Sequence, residues 1–128
     1  MVYINLTRML TLHQPLIDVG TPKKQKAAYQ HSLAMAKGHY CDHTGFSSRA
    51  AKYNFRGENV ACGYKSGFDF FRGWFSSKGH RANMLNWGYF FSGIGVCKKI
   101  KTVSYYDEDG ELISQESEVD YYATQVFK

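Results

Sequence analysis

No apolar run in these 128 residues approaches the ~20 that a helix needs to cross a bilayer, so no transmembrane segment is expected. Residues 1–12 also lack a basic stretch followed by a continuous apolar segment and a small-residue cleavage site. They do not read as a signal peptide: either such a signal was removed or export takes another route. Acids are scarce over most of the chain, with four against fifteen Lys and Arg before Tyr106, whereas residues 107–120 hold seven acids and no base. The net charge of +5 therefore describes a basic body with an acidic hairpin. The bases are scattered rather than blocked, which suits a solvated surface first and an anionic partner surface second. No nucleic-acid-binding motif is present.

Cysteine is sparse and odd in number: Cys41, Cys62 and Cys97 allow at most one intramolecular disulfide. Cys62 and Cys97 both lie in strand-like stretches, where they either pair or remain buried apolar thiols, the default outside an oxidising compartment. A chain of this length forms one domain, residues 1–128, and buries roughly two-thirds of its unfolded surface without metals or disulfides. Aromatic residues make up 16% of it, enough for a core of large side chains or a groove lined with rings.

Thr21 as N-cap with Pro22 at the first helical position opens a helix over residues 21–37, ended by Gly38. Ala27, Ala28, His31, Ala34 and Met35 form its apolar face, with His31 read as a core histidine satisfied by one hydrogen bond. Ser47 is placed to cap a short helix to Tyr53. Ser66 and Asp69 match a capping box for a helix to Ser77, with Phe68, Phe71, Trp74 and Phe75 on its inner face. Strands are expected over residues 59–62, 93–97, 102–106, 112–115 and 119–127, with a hairpin turn at Asp109 and Gly110. The last strand is apolar on both faces, as in a sheet covered on both sides. The expected fold is α+β, a three-layer α-β-α sandwich around a mainly antiparallel sheet.

His43, Glu58 and His80 each sit beside or near a glycine, which lets separate chain corners present them to one spot. Two neutral imidazoles and a carboxylate are a competent ligand set for Zn2+, with a position left for water. The intervals of fifteen and twenty-two residues match no compact zinc pattern, and no His-Glu-x-x-His pair occurs. Glu58 can equally accept backbone hydrogen bonds at the turn before Asn59, and Arg49 can pair with it. Ser76 and Ser77 near His80 lack an oriented Asp, so a Ser-His-Asp triad is not expected.

The ordered set comprises His43-Thr44-Gly45, Arg49, Gly57-Glu58-Asn59, Trp74 with Ser77, Gly79-His80-Arg81 with Asn83, and a terminal Tyr-Ala-Thr-Gln-Val-Phe. It resembles the CAP superfamily of cysteine-rich secretory proteins, antigen 5 and pathogenesis-related proteins (the SCP domain), and its bacterial-type branch above all. The likeness runs over residues 21–127, with Asn5 and Arg8 similar to the end of the family's first helix. It implies the same sandwich and secretion from the cell, although with no signal peptide in the chain a cytoplasmic location stays open. It also implies a central cavity in which His43, His80 and Glu58 hold Zn2+ or another divalent metal, shaped by Ser77, Asn59 and Arg81. Ser77 stands where animal and plant members carry a second acid, and a hydroxyl is neither a good ligand nor a base.

Three functions follow from the resemblance. The first is a non-catalytic, monomeric domain that binds metal in the cavity and a lipid or other small apolar ligand in an adjacent groove. The second is a zinc-dependent hydrolase or peptidase with Glu58 as base. The third is a secreted interaction module that uses its basic face or acidic hairpin.

Overall fold

The computed structural model of the chain describes residues 1–18 and 22–128. Among them run α1 (Val2–Leu10), α2 (Pro22–Gly38), α3 (Phe46–Tyr53), β1 (Gly57–Tyr64), α4 (Gly67–Ser76), α5 (Lys78–Met84), β2 (Ser92–Tyr106) and β3 (Leu112–Phe127). The strands form one antiparallel sheet in the order β1-β3-β2, so the C-terminal strand lies in the middle. Helices cover both faces, giving the expected α+β sandwich. On one face Met35 and Ala36 of α2 pack on Val60, Cys97 and Tyr122. Beside them Ala27 and Ala28 meet Phe55 and Val126, with Phe46 and Ala50 of α3 alongside. On the other face Ile4 of α1, Phe70 and Trp74 of α4 and Met84 of α5 pack on Ala61, Ala123 and Phe127. The central strand is buried without interruption from Tyr122 to Phe127, as its two-sided apolar pattern requires.

Helix α2 lies so close to the sheet because β2 carries no side chain where they cross. A Cβ on Gly93 would stand 2.6 Å from the Lys24 carbonyl carbon, and one on Gly95 would overlap the Tyr29 backbone. Ser32 fills the next position, its hydroxyl 2.9 Å from both the Gly95 carbonyl and the Thr124 hydroxyl. The buried residues of α2 are Ala27, Ala28, His31, Ser32, Met35 and Ala36, whereas Ala34, expected inside, faces solvent. The expected Thr21 cap lies outside the described residues.

Local signals held in part. Ser66 caps α4, accepting the Asp69 amide at 3.1 Å and donating to its carboxylate at 2.7 Å, so the capping box is formed. The inner face of α4 is centred on Phe70 and Trp74, with Phe71 and Phe75 half-buried. Phe68 points outward against Tyr3, at 5.2 Å between ring centres. Helix α3 is not capped by Ser47: Gly45, at φ 73°, precedes its first residue and makes the turn that only glycine takes without strain. The four strand pieces expected after residue 92 are two long strands. Lys98 to Lys101 continue the ladder opposite Tyr121 to Glu118, and Lys99 reaches back to α2 by donating to the Ala36 carbonyl at 2.7 Å. The turn at the tip is closed by the Asp107 amide on the Glu111 carbonyl and by Gly110 at φ 84°.

The cysteines pair otherwise than the strand reading suggested. Cys62 and Cys97 both stand opposite Tyr122, one on each side of β3. Two strand spacings, about 9.5 Å, separate them, too far for a disulfide. Cys62 instead joins Cys41 in the loop after α2, with the Cα atoms 6.1 Å apart, and Cys97 is a free, buried thiol.

Candidate functional site

The loop between α2 and α3 carries His43. Asp42 turns it by accepting the Thr44 amide at 2.8 Å, and hydrogen bonds from the Thr44 hydroxyl first and this amide second hold the Asp42 carboxyl below its ordinary pKa. The Phe46 amide returns to the His43 carbonyl at 3.0 Å, and Cys41 fastens the loop to β1. Glu58 is the second residue of β1. It shares its sheet face with Val60 and therefore points towards α2 and α3, where its side chain is only 1% exposed.

Such a carboxylate needs partners, and it has two. The Arg49 Nη2 from α3 donates to both oxygens, at 2.8 and 2.7 Å, while its Nη1 donates to the Thr44 carbonyl. His43 Nδ1 lies 2.9 Å from Oε1, so this nitrogen carries the proton and Nε2 holds the lone pair of the neutral ring. The His43 side chain is half exposed. His31 stands behind, donating from Nε2 to the Asp42 carbonyl at 2.8 Å and lying 4.0 Å from Glu58. Burial lowers the pKa of His31, and its bond to the Asp42 carbonyl opposes the shift in part.

His80 arrives on α5, a short helix that was not among the expected elements. Its place is fixed by two asparagines. Asn59, fully buried, donates to the His80 carbonyl at 3.1 Å; Asn83 donates to the Asn59 side-chain oxygen at 2.9 Å and to the Glu58 carbonyl at 3.2 Å. Asn83 thus locks α5 to β1. Arg81 ties α5 to α4, donating to the Phe75 carbonyl at 2.7 Å and covering its ring. Burial lowers the pKa of His80, and charge on His43 lowers it further, so the two rings are electrostatic neighbours. Ser77 stands at the start of α5, its carbonyl accepting the Arg81 amide.

The structure therefore brings together His43, Glu58, Arg49 and His31, with His80 beside His43. Among the described residues no group of three or more His, Cys, Asp and Glu side chains is gathered to hold a metal. The donors that fit a divalent cation are the His43 and His80 rings, since both Glu58 oxygens face Arg49. Imidazole suits Zn2+, and water would complete the coordination. Glu58 then stands behind His43 as the carboxylate that fixes its tautomer.

An apolar hollow lies on the face of the sheet opposite the histidines rather than beside them. It is a cavity of about 120 Å³ between α1, α4 and β2, lined by Ile4, Phe70, Phe71, Trp74, Val96 and Ala123. A second space of about 250 Å³ shares Phe70 and Val96 with it and is bordered by Lys65, Ser66 and Tyr121. The roles of three further residues, Cys41, Cys62 and Arg8, become visible only in the fold. Cys41 precedes His43 by two positions and Cys62 follows Glu58 by four, a spacing that could have signalled a tether. Arg8, fully buried, donates to the Gln14, Met84, Asn86 and Tyr89 carbonyls and knits α1 to the end of α5.

A three-layer sandwich with a carboxylate-bound histidine at the edge strand defines the class of protein. The chain belongs to the cysteine-rich secretory protein (CAP) family, whose model matches residues 22–126. It is 30% identical over 89 residues to the membrane protein YlbC of Bacillus subtilis strain 168, a match over 62% of this chain and 26% of that protein. Its fold is similar to an extracellular SCP-domain protein of Bacillus anthracis, with TM-score 0.70 at 22% identity, over 98% of this chain and 37% of that one. An outer surface protein of Borrelia burgdorferi aligns with TM-score 0.65 at 16% identity, over 99% and 87% of the two chains. The chain thus spans about a quarter of the curated relative and little more than a third of the first of these structures.

Proposed function

We propose that this chain is a non-catalytic binding domain in which His43 and His80 hold a divalent metal ion, Zn2+ first, and the groove beneath α4 takes a lipid or another small apolar ligand. The observation that carries the reading is the double engagement of Glu58 by Arg49 and His43. Three of the roughly four acceptor sites of this carboxylate are taken and its side chain is 1% exposed, which favours a role in orienting His43 over that of a base. The same observation weighs against the hydrolase alternative, which needs Glu58 to take a proton. The largely apolar lining of the groove supports an uncharged ligand there, with Lys65 at its mouth for a polar head. The Cys41–Cys62 disulfide supports an oxidising compartment and hence export. No helix among the described residues is long and apolar enough to cross a membrane.

Calorimetric titration of the metal-stripped protein with Zn2+ tests the metal half, beside His43→Ala, His80→Ala and Glu58→Gln variants shown to be folded. Saturable binding that is lost in either histidine variant and weakened about 10- to 100-fold in Glu58→Gln is the expected result. Absence of binding by the wild type removes the metal. Solvent extraction of the purified protein, with displacement of a fluorescent fatty acid, tests the groove. A titration unaltered by Ala123→Trp, which fills the cavity, refutes it.

A further inference from the structure

The end of the sheet where β1 begins, β3 ends and β2 begins is defined by Gly57 and Ser92 opposite Phe127. Two segments meet there. The Ile17 amide donates to the Phe90 carbonyl at 2.7 Å, Ile17 bridges Phe91, and the His13 ring stacks on Trp87 at 4.1 Å between centres. Their apolar side chains turn outward: Leu12 is 85% exposed, Trp87 60%, Ile17 48%, Phe90 47% and Phe91 40%. Leu12 is held at φ 62°, a conformation a leucine adopts at a cost, with its side chain in solvent. A contiguous exposed group of this kind marks a surface that meets another phase or molecule.

The charge around it is mainly positive. Lys24 lies 5.8 Å above the Phe91 ring, and Arg56 lies 5.8 Å from the Tyr89 ring while donating to the Gly88 carbonyl at 2.9 Å. Lys24 has its pKa lowered, first by burial and then by the charge of Lys128. Asp18 is the single acid in residues 10–18 and 86–91. The acidic tip at residues 107–111 stands at the far end of the fifteen-residue β2. At about 3.3 Å per residue, that is roughly 45 Å away. The molecule is thus an electric dipole with an apolar, aromatic cap on its positive end.

We propose that this end docks at the headgroup boundary of a bilayer rich in anionic lipid, with Leu12, Trp87, Phe90 and Phe91 inserted and Lys24, Arg56 and Lys128 on headgroup phosphates. Trp and Phe on a basic rim suit that boundary, where ring and charge are both satisfied. The field of an anionic surface turns the acidic hairpin outward and so sets the orientation. Apposition of two copies through the same patch would place like charges together.

Sedimentation with vesicles of phosphatidylcholine alone and of an equimolar phosphatidylcholine–phosphatidylglycerol mixture tests this, with tryptophan emission recorded in parallel. Trp74 is 3% exposed, so a shift on binding reports Trp87. The expected result is a blue shift and binding roughly a hundredfold stronger to the anionic vesicles, from three cations near the surface. Lys24→Glu with Arg56→Glu should remove that preference. Leu12→Ser with Phe90→Ser should abolish the blue shift, and thermal melts confirm that these surface variants fold. Absence of binding to anionic vesicles, or binding unchanged in the Leu12→Ser/Phe90→Ser protein, overturns the proposal. So does concentration-dependent self-association that the same variant abolishes without any vesicle binding, which would make a second copy's acidic tip the occupant.

Discussion

Replacing Arg49 by Met removes the guanidinium from a carboxylate that is 1% exposed and leaves Glu58 with the His43 Nδ1 proton alone, at 2.9 Å. Arg49 is itself 16% exposed, so the pair lies nearer the buried than the surface limit. Breaking a buried pair from one side costs about 3–5 kcal/mol, because the remaining charge keeps its desolvation penalty and loses its compensation. For a chain of this size that corresponds to a fall in Tm of roughly 11–19 °C. The control is Arg49→Met combined with Glu58→Gln, which removes both charges and keeps the volumes. The double variant should recover at least about 2 kcal/mol relative to the sum of the single ones, since an unpaired buried charge is then no longer present. Urea unfolding of the four proteins, followed by the emission of Trp74 on α4, provides the cycle. Additive effects, or a loss below about 1 kcal/mol for Arg49→Met, would show that solvent reaches Glu58 and that the cluster does not tie α3 to β1.

Three further outcomes follow from the same contacts. His31 prefers the neutral form in the fold, mainly through burial, so its folded pKa lies below the unfolded value. Stability should be full above the unfolded pKa of about 6.5 and fall as the pH drops from there towards the lowered folded value, and His31→Asn should flatten this slope in a series of pH-dependent melts. Reduction of Cys41–Cys62, or Cys62→Ser, releases a loop with a sequence separation of 21 residues and should cost about 3 kcal/mol by chain entropy. The released loop should also leave the His43 ring resonances averaged by exchange in NMR spectra, whereas Cys97→Ala should leave them unchanged. Gly95→Ala sets a methyl group against the Tyr29 backbone, and since neither helix nor strand can yield cheaply it should cost at least about 2 kcal/mol in denaturant unfolding.

The parts of the fold that were legible in the sequence are those fixed by one or two neighbouring residues. Ser66 and Asp69 specify the start of α4, Gly110 specifies the hairpin tip, and the apolar run at the C-terminus specifies a central strand. What was not legible depends on partners distant in sequence. The lysines of β2 interrupt the strand pattern, yet the strand continues because β3 provides the ladder. Phe70 rather than Phe68 turns inward because Ile4 and Ala123 determine which face of α4 is covered. The choice of Cys41 over Cys97 follows from the strand order, which composition does not carry, and Arg8 is satisfied by carbonyls from segments some eighty residues away.

The candidate site shows the same division between identity and role. His43, Glu58 and His80 stand out as residue types beside glycines, but their roles follow from Arg49 and the two asparagines. Arg49 reaches both oxygens of Glu58 from one turn into α3, so the carboxylate faces a cation of the chain itself. Asn59 and Asn83 bind the main chain of His80 and Glu58 and leave their side chains free, so the two asparagines hold α5 against β1 without adding charge to the site. Because each support is a hydrogen bond between separate elements, Asn83→Ala should lower stability and displace His80 together. Asn83→Asp keeps the shape but replaces the donor with a charge facing two oxygens, so it should be the more damaging of the two by thermal melt and by His80 chemical shift.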